Sequence, residues 1–285
     1  MSIRLEHVCY QHKDMKGTEQ YTLKDINLSI EDGEYIGIIG HTGSGKSTFL
    51  QLLNGLESPT TGNIYYNGIN IQDKGFDRVG LRTKVGLVFQ YPEYQLFESS
   101  VIKDIKFGPK NLGLEPLEVD LRSYQAFRDV GLHEKYLDAS PFQLSGGQKR
   151  RVAIAGILAM QPEVLILDEP TAGLDPVGRK EILSLIDRLH KEKHCTVIVV
   201  SHSMEDMANH VERLVVLYDG QIRMDGSPKE VFQEEMVLEK YGLSVPSVNR
   251  IAKRLEKDGY RLDTSVITVE EAKEAILECY GSRHM

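Results

Sequence analysis

Five short stretches of the chain are apolar without interruption: Tyr35–Gly40, Val85–Phe89, Val164–Leu167, Thr196–Val200 and Leu214–Leu217. Their length and β-branched content predict strands, and the unbroken apolarity predicts strands covered on both faces, as in parallel sheets. Three other stretches, Ile3–Tyr10, Asn27–Ile30 and Ile64–Tyr66, alternate apolar with polar residues. That period of two predicts half-exposed strands in a flanking antiparallel sheet. Helical stretches separate the continuous runs, so the whole pattern predicts an α/β fold with a core of the mononucleotide-binding kind. From about Pro92 to Met160 the strand signal lapses. Tyr94–Lys106, Glu118–Val130 and Gln148–Met160 read as successive helices, a helical subdomain over residues 92–160. A helix near Pro228–Tyr241 closes a domain of residues 1–240. Residues 241–285 read as a small helical extension, with helices at Val248–Asp258 and Thr268–Tyr280. Thr268 and Glu271 form a capping box at the start of the second.

The overall charge argues against one class of function, with a local basic face at Lys149–Arg151 the one opening left for it. With 42 acidic against 34 basic residues the net charge is −8, whereas nucleic-acid binding needs a basic face that displaces counterions. Lys149, Arg150 and Arg151 are adjacent, and on a helix they read as solvated charges. Cys9, Cys195 and Cys279 are far apart and odd in number. Because Cys9 and Cys195 lie in apolar strand-like runs, buried reduced thiols and a cytoplasmic setting are expected. The opening residues lack the apolar core of a secretory signal. The longest apolar run, Val152–Met160, falls far short of the roughly 18 residues of a membrane span. Any membrane role is therefore expected to be peripheral, through a partner. The closing residues Gly281–Met285 carry no weight in this reading.

Three segments carry chemistry. Gly40, His41, Thr42, Gly43, Ser44, Gly45, Lys46, Ser47 and Thr48 fit G-x-x-x-x-G-K-[ST], placed between a strand and an apolar helix over Thr48–Asn54. Its glycines let backbone N–H groups curl inward onto phosphate oxygens. The helix start adds its dipole, Lys46 a point charge and the Ser47 hydroxyl a ligand for Mg²⁺. Next, the apolar strand Val164–Leu167 ends in Asp168 and Glu169, at the edge where ligands collect in α/β folds. There Asp168 can hold Mg²⁺ and Glu169 can polarise an attacking water. Last, Leu144, Ser145, Gly146, Gly147 and Gln148 open a helix just after Pro141. This is a second glycine-relaxed helix start and so a second anion site. One chain needs one phosphate cradle, so the second predicts a site assembled across two chains.

With these motifs in this order, the chain resembles the nucleotide-binding subunits of ABC transporters over about residues 3–235. Gly40–Thr48 resembles their Walker A, Leu144–Gln148 their signature and Val164–Glu169 their Walker B. Gln90 matches the Q-loop glutamine, Ala172–Asp175 the D-loop and His202 the switch histidine. Tyr10 falls where the family places an aromatic that stacks on adenine, with Tyr21 a nearby rival; His41 occupies a variable position. The resemblance implies ATP and Mg²⁺ as ligands and two domains packed head to tail. In that arrangement Lys46 and the Gly43–Thr48 amides hold the β- and γ-phosphates. Ser47, Gln90 and Asp168 organise metal and water, Glu169 is the general base and His202 contacts the γ-phosphate. Ser145, Gly146, Gly147 and Gln148 reach the partner's nucleotide, and Asp175 lies at the dimer seam.

The segments Gln90–Glu98, Phe107–Asn111, Arg150–Met160 and Asp168–Asp175 are similar to the ATPases of energy-coupling factor (ECF) transporters, importers of vitamins and transition-metal ions. The resemblance is to the second, A2-type, of two paired ATPases. It implies a different ATPase as partner, a transmembrane T component and, through that, a substrate-binding S component. It also implies a place at the cytoplasmic face of the membrane and a dimer-holding role for residues 241–285. Tyr91, Tyr94 and Phe97 follow the Q-loop glutamine, where such ATPases grip their membrane partner, though core packing would equally explain the rings. A conventional ABC importer ATPase is the alternative. A soluble non-transport ABC protein lacks support, since neither a coiled-coil insertion nor a duplicated cassette is present.

Overall fold

Unbroken apolar runs pair in parallel here because both of their faces can then be covered. The computed structural model describes residues 3–13 and 19–281. In chain order the first half holds β1 (Ile3–Lys13), β2 (Glu19–Ile30), β3 (Tyr35–Ile39), α1 (Lys46–Leu53), β4 (Thr61–Tyr66), β5 (Ile69–Asn70), α2 (Arg78–Lys84), β6 (Val85–Val88), α3 (Val101–Asn111) and α4 (Pro116–Asp129). The second half holds α5 (Gly146–Leu158), β7 (Val164–Asp168), α6 (Pro176–Lys193), β8 (Thr196–Val200), α7 (Met204–His210), β9 (Arg213–Tyr218), β10 (Gln221–Gly226), α8 (Pro228–Gln233), α9 (Glu235–Lys240), α10 (Ser247–Lys257) and α11 (Val269–Gly281). These elements fall into two compact units. One comprises the chain up to Glu34 together with Ser47–Val200, the other Tyr35–Lys46 together with Ser201 onward.

In the first unit, β6, β7 and β8 run parallel, with Val164 opposite both Val85 and Thr196. Val164–Leu167 are fully buried. The ladder continues one step past the strand, where the Glu169 amide donates to the Val200 carbonyl at 3.0 Å. Asp168 and Glu169 are thereby fixed at the carboxyl edge, the ligand edge of such sheets. A separate antiparallel sheet has the order β2-β1-β4-β5. Its alternation slips at His7 and Asp25, non-glycine residues at φ 50° and 52°. Bulges there bring Val8 and Ile26 inward instead of the residues before them. In the second unit, β3 pairs parallel with β9, and β10 pairs antiparallel with β9. Its last two helices, α10 and α11, share a small core of Ala252, Val266, Ala272 and Ala275. The expected capping box is present, with the Glu271 amide 3.2 Å from Thr268 Oγ1 and the Thr268 amide 3.4 Å from Glu271 Oε2.

Four expectations are corrected. Tyr94–Lys106 is not one helix: a short 3₁₀ turn at Pro92–Gln95 precedes α3. Asp104 accepts the amides of Phe97 (3.3 Å) and Glu98 (3.1 Å), which holds that segment out of a helix. The stretch Pro228–Tyr241 divides into α8 and α9 at Glu234, whose ψ of 46° is not helical. Cys9 is half-buried, because the bulge turns it aside; its sulfur accepts the Asp25 amide at 3.2 Å. The largest departure is Arg150, which is not solvated but 1 % exposed. Residues 282–285 of the closing stretch lie outside the described residues.

Candidate functional site

β3 delivers the chain to Gly40, where absence of a side chain is a packing requirement. A Cβ there would stand 2.3 Å from the Leu217 carbonyl oxygen and 2.5 Å from Ser44 Oγ. Beyond it the loop turns through Gly43 and Gly45 at φ 83° and 103°, a region that L side chains rarely adopt. The Ser44 amide closes the turn onto His41 O at 3.1 Å, and the Gly220 amide ties Ser44 O to the β9–β10 turn at 3.2 Å. Lys46 Nζ donates to Gly40 O (2.6 Å) and His41 O (3.0 Å), so its ammonium is fixed within the loop. Ser44 Oγ is buried without a hydrogen-bond partner. A fixed cation, an orphaned hydroxyl and a helix start at Lys46 together fit a phosphate group. His41 faces elsewhere: its ring packs on Tyr218, which stacks on Tyr241 at 4.5 Å. Thr42 and Gly43 are exposed.

The first unit brings four predicted residues together. Ser47 Oγ donates to Asp168 Oδ2 at 3.1 Å, and Gln90 Nε2 donates to Glu169 Oε2 at 3.2 Å. A hydroxyl beside a carboxylate is an all-oxygen donor set suited to a hard divalent cation such as Mg²⁺. Glu169 sits at φ 50°, a left-handed conformation that costs about 1–3 kcal/mol in a non-glycine residue and is concentrated at working sites. Thr48 follows Ser47 in α1, half-buried.

Ser145 and Gln148 form a capping box: Ser145 Oγ accepts the Gln148 amide (3.3 Å) and Gln148 Oε1 accepts the Ser145 amide (3.0 Å). Gly146 and Gly147 form the first turn of α5, and a Cβ on either would meet nothing within 4 Å. Asp175 caps α6, its Oδ1 accepting the Gly178 amide at 2.9 Å. Tyr10 donates its hydroxyl to Glu57 Oε2 at 2.9 Å, and burial with that carboxylate raises its pKa. Tyr21 is more exposed. His202 lies exposed in the second unit, between β8 and α7.

Sequence reasoning missed Arg150 and its partner Glu93, joined at 2.8 Å. Core packing does not account for the aromatic rings, which are exposed: Tyr91 by 40 %, Tyr94 by 84 % and Phe97 by 58 %. Phe97 meets Phe107 edge to face at 4.9 Å. Both line a groove of about 480 Å³ with Val79, Arg82, Leu87 and Met160. No helix among the described residues is long and apolar enough to cross a membrane.

Comparison with known proteins agrees with this geometry. The ABC transporter family model matches residues 23–172. An energy-coupling factor transporter ATP-binding protein EcfA2 from Clostridium perfringens is 54 % identical over 279 residues, 98 % of each chain. The protein of that name from Caldanaerobacter subterraneus subsp. tengcongensis is 54 % identical over 97 % of each. Among solved structures, CbiO1 of Clostridium perfringens, part of the ABC transporter complex CbiONQ, has a TM-score of 0.75 and 39 % identity, covering 89 % of this chain and 98 % of that one. The ATP-binding cassette MJ0796, solved as a dimer in a post-hydrolysis state with ADP and Pi, has a TM-score of 0.69 and 32 % identity, covering 79 % and 98 %. The phosphate-fitting loop, the paired carboxylates at the sheet edge and similarity along nearly the whole length give one result: this chain belongs to the ABC transporter family, as an ATP-binding, ATP-hydrolysing subunit of the energy-coupling factor type.

Proposed function

We propose that this ATPase completes its catalytic site with a second ATPase subunit, a different paralogue, and drives an importer through a transmembrane T component. One observation carries the first part. Gly146 and Gly147 stand in a helix, where glycine costs about 0.5–1 kcal/mol relative to alanine, yet nothing in this chain occupies the space a methyl group would take. The space is left for something outside the chain. A phosphate approaching a helix start needs such a gap, and the chain's own nucleotide already has the Gly40–Thr48 loop.

In this reading Lys46 and the Gly43–Thr48 amides grip the β- and γ-phosphates and offset the charge that develops on them. Ser47, Asp168 and Gln90 hold Mg²⁺, which when bound neutralises phosphate charge. Glu169 Oε accepts the proton of the attacking water, oriented by Gln90 Nε2 at 3.2 Å. His202 contacts the γ-phosphate, Tyr10 stacks on adenine and Asp175 meets the partner subunit. Residues 241–285 serve dimerisation. The relatives' name and the complex that includes CbiO1 support a membrane-bound assembly. The exposed Tyr94 and Phe97 beside the apolar groove are the docking face in this reading, and the chain sits peripherally at the cytoplasmic side of the membrane. The transported solute, a vitamin or transition-metal ion, is bound by an S component and never touches this chain.

The test is co-purification of the tagged full chain from detergent-solubilised membranes. A second ATPase and a T-type membrane protein that reaches several substrate-specific proteins are expected. Retention of both when Tyr94 and Phe97 are replaced by Ser would refute the docking face, and a single dedicated permease would favour a conventional importer.

A further inference from the structure

Arg150 is the bulkiest fully buried side chain among the described residues. Its guanidinium is engaged on two sides. Nε and Nη2 face the Glu93 carboxylate at 2.8–3.2 Å, a two-pronged pairing. Nη1 donates to the backbone carbonyls of Pro170 and Ala172, both at 2.8 Å. Glu93 lies three residues after Gln90, and Pro170 directly follows Glu169. Arg150 itself stands five residues beyond Ser145, in the helix that presents the signature. One side chain therefore bridges the segment carrying Gln90, the segment carrying Glu169 and the signature helix. The ring of Tyr91 closes the same region, lying 3.4 Å from where a Cβ of Gly173 would be.

Burying an ion pair gains little stability over an apolar pair of equal volume, so stability alone does not account for it. A planar fork, by contrast, fixes direction as well as distance. Glu169 at φ 50° and Tyr91 at φ 55° both hold unfavourable backbone conformations, which persist only where surrounding contacts enforce them. The bonds from Arg150 to Pro170 O and to Glu93 end one and two residues from these strained positions.

We infer that Arg150 is a positioning residue for hydrolysis: through Glu93 and the Pro170 and Ala172 carbonyls it sets Gln90 against Glu169. The inference rests on the proposed role of Glu169 as general base. Lysine cannot replace arginine here, since one ammonium cannot face Glu93 and two carbonyls in the same plane.

The test uses the full chain in its ATPase dimer. Misplacing a catalytic pair by about 1 Å costs on the order of 100-fold in rate, so Arg150→Lys is expected to lower kcat by about 10–100-fold. The KM for ATP and the affinity for a fluorescent ATP analogue should stay within about two-fold, because the Gly40–Lys46 loop is untouched. Adding Gln90→Ala to Arg150→Lys should lower kcat little further, as both act on one pair. Should Arg150→Lys not fold, Glu93→Gln, which keeps the shape but removes the charge, is expected to give the same pattern with a smaller kcat loss. Losses that multiply in the double variant, a KM that rises in step with the fall in kcat, or wild-type kcat would overturn the inference. Glu169→Gln is measured alongside. Normal turnover in that variant would instead sink the general-base assignment, so the two failures are distinguishable.

Discussion

Replacing Gly147 by alanine separates the needs of this chain from those of its partner. Gly147 is the second residue of α5, it is not at positive φ, and a Cβ there meets nothing within 4 Å. Within the isolated chain the substitution removes glycine's backbone entropy without strain, a gain of about 0.5 kcal/mol at a helix end. For a domain of this size that raises Tm by about 1–2 °C. In the proposed two-chain site the same methyl group would stand where the partner's phosphate approaches the helix start. A displacement of about 1 Å there costs on the order of 100-fold in turnover. The assay pairs a thermal melt of the nucleotide-free chain with steady-state hydrolysis at saturating ATP. The expected result is a more stable protein that hardly turns over. Gly40→Ala is the control with the opposite cause: its methyl collides with Leu217 O of the same chain, so overpacking should lower stability by about 1–3 kcal/mol. Wild-type turnover in Gly147→Ala would refute the claim that the gap is filled in trans. A lowered Tm would show that this chain's own packing needs the glycine.

Two further outcomes are expected. Lys46→Ala removes the cation fixed over the loop by Gly40 O and His41 O and should abolish turnover and weaken nucleotide binding at least 10-fold, an effect of the order of one charge-assisted contact; equilibrium titration with a fluorescent ATP analogue checks it, and near-normal activity would contradict the phosphate assignment. Burial pushes the Cys195 thiol up to about 11 from the ordinary 9.0, so the folded chain keeps its proton while the unfolded chain loses it. Stability from this group is thus complete below pH 9 and falls as pH rises toward 11, by about 2–3 kcal/mol in total. Urea unfolding at pH 8.5 and 10.5, with reductant, should show about 1.5–2 kcal/mol of that loss and show it reduced in Cys195→Ala; equal slopes in both proteins would contradict it.

Local signals decided most of what was legible. The strand over Thr196–Val200 is as expected, and those at Tyr35, Val85, Val164 and Leu214 differ by a residue or so, because unbroken apolarity leaves few alternatives to a covered parallel strand. The turn from Gly40 to Lys46 is equally legible, since Gly43 and Gly45 take the positive φ that the spacing requires. What the sequence hid depends on contacts between distant segments. Lys149, Arg150 and Arg151 look alike in the chain, and only the fold turns the middle one inward. The sequence carries one signal of it: Ile154 and Leu158, one and two helical turns on from Arg150, are apolar and are indeed buried, which puts Arg150 on the same face. The break before α3 arises from Asp104 capturing amides six and seven residues earlier, which no helical periodicity reveals. The bulge at His7 needs a matching one at Asp25 in the neighbouring strand, where the two side chains meet at 2.8 Å. Neither residue announces this alone.

The most direct measurement is the mass in solution of the Glu169→Gln variant of this chain, alone and mixed with its co-purifying ATPase, before and after addition of ATP and Mg²⁺. A site finished by a second subunit predicts a nucleotide-dependent shift from the 32.2 kDa single chain to a two-chain assembly, held because the bound ATP is no longer cleaved. A mass of 32.2 kDa with ATP bound, alongside full wild-type hydrolysis at that same mass, would contradict it.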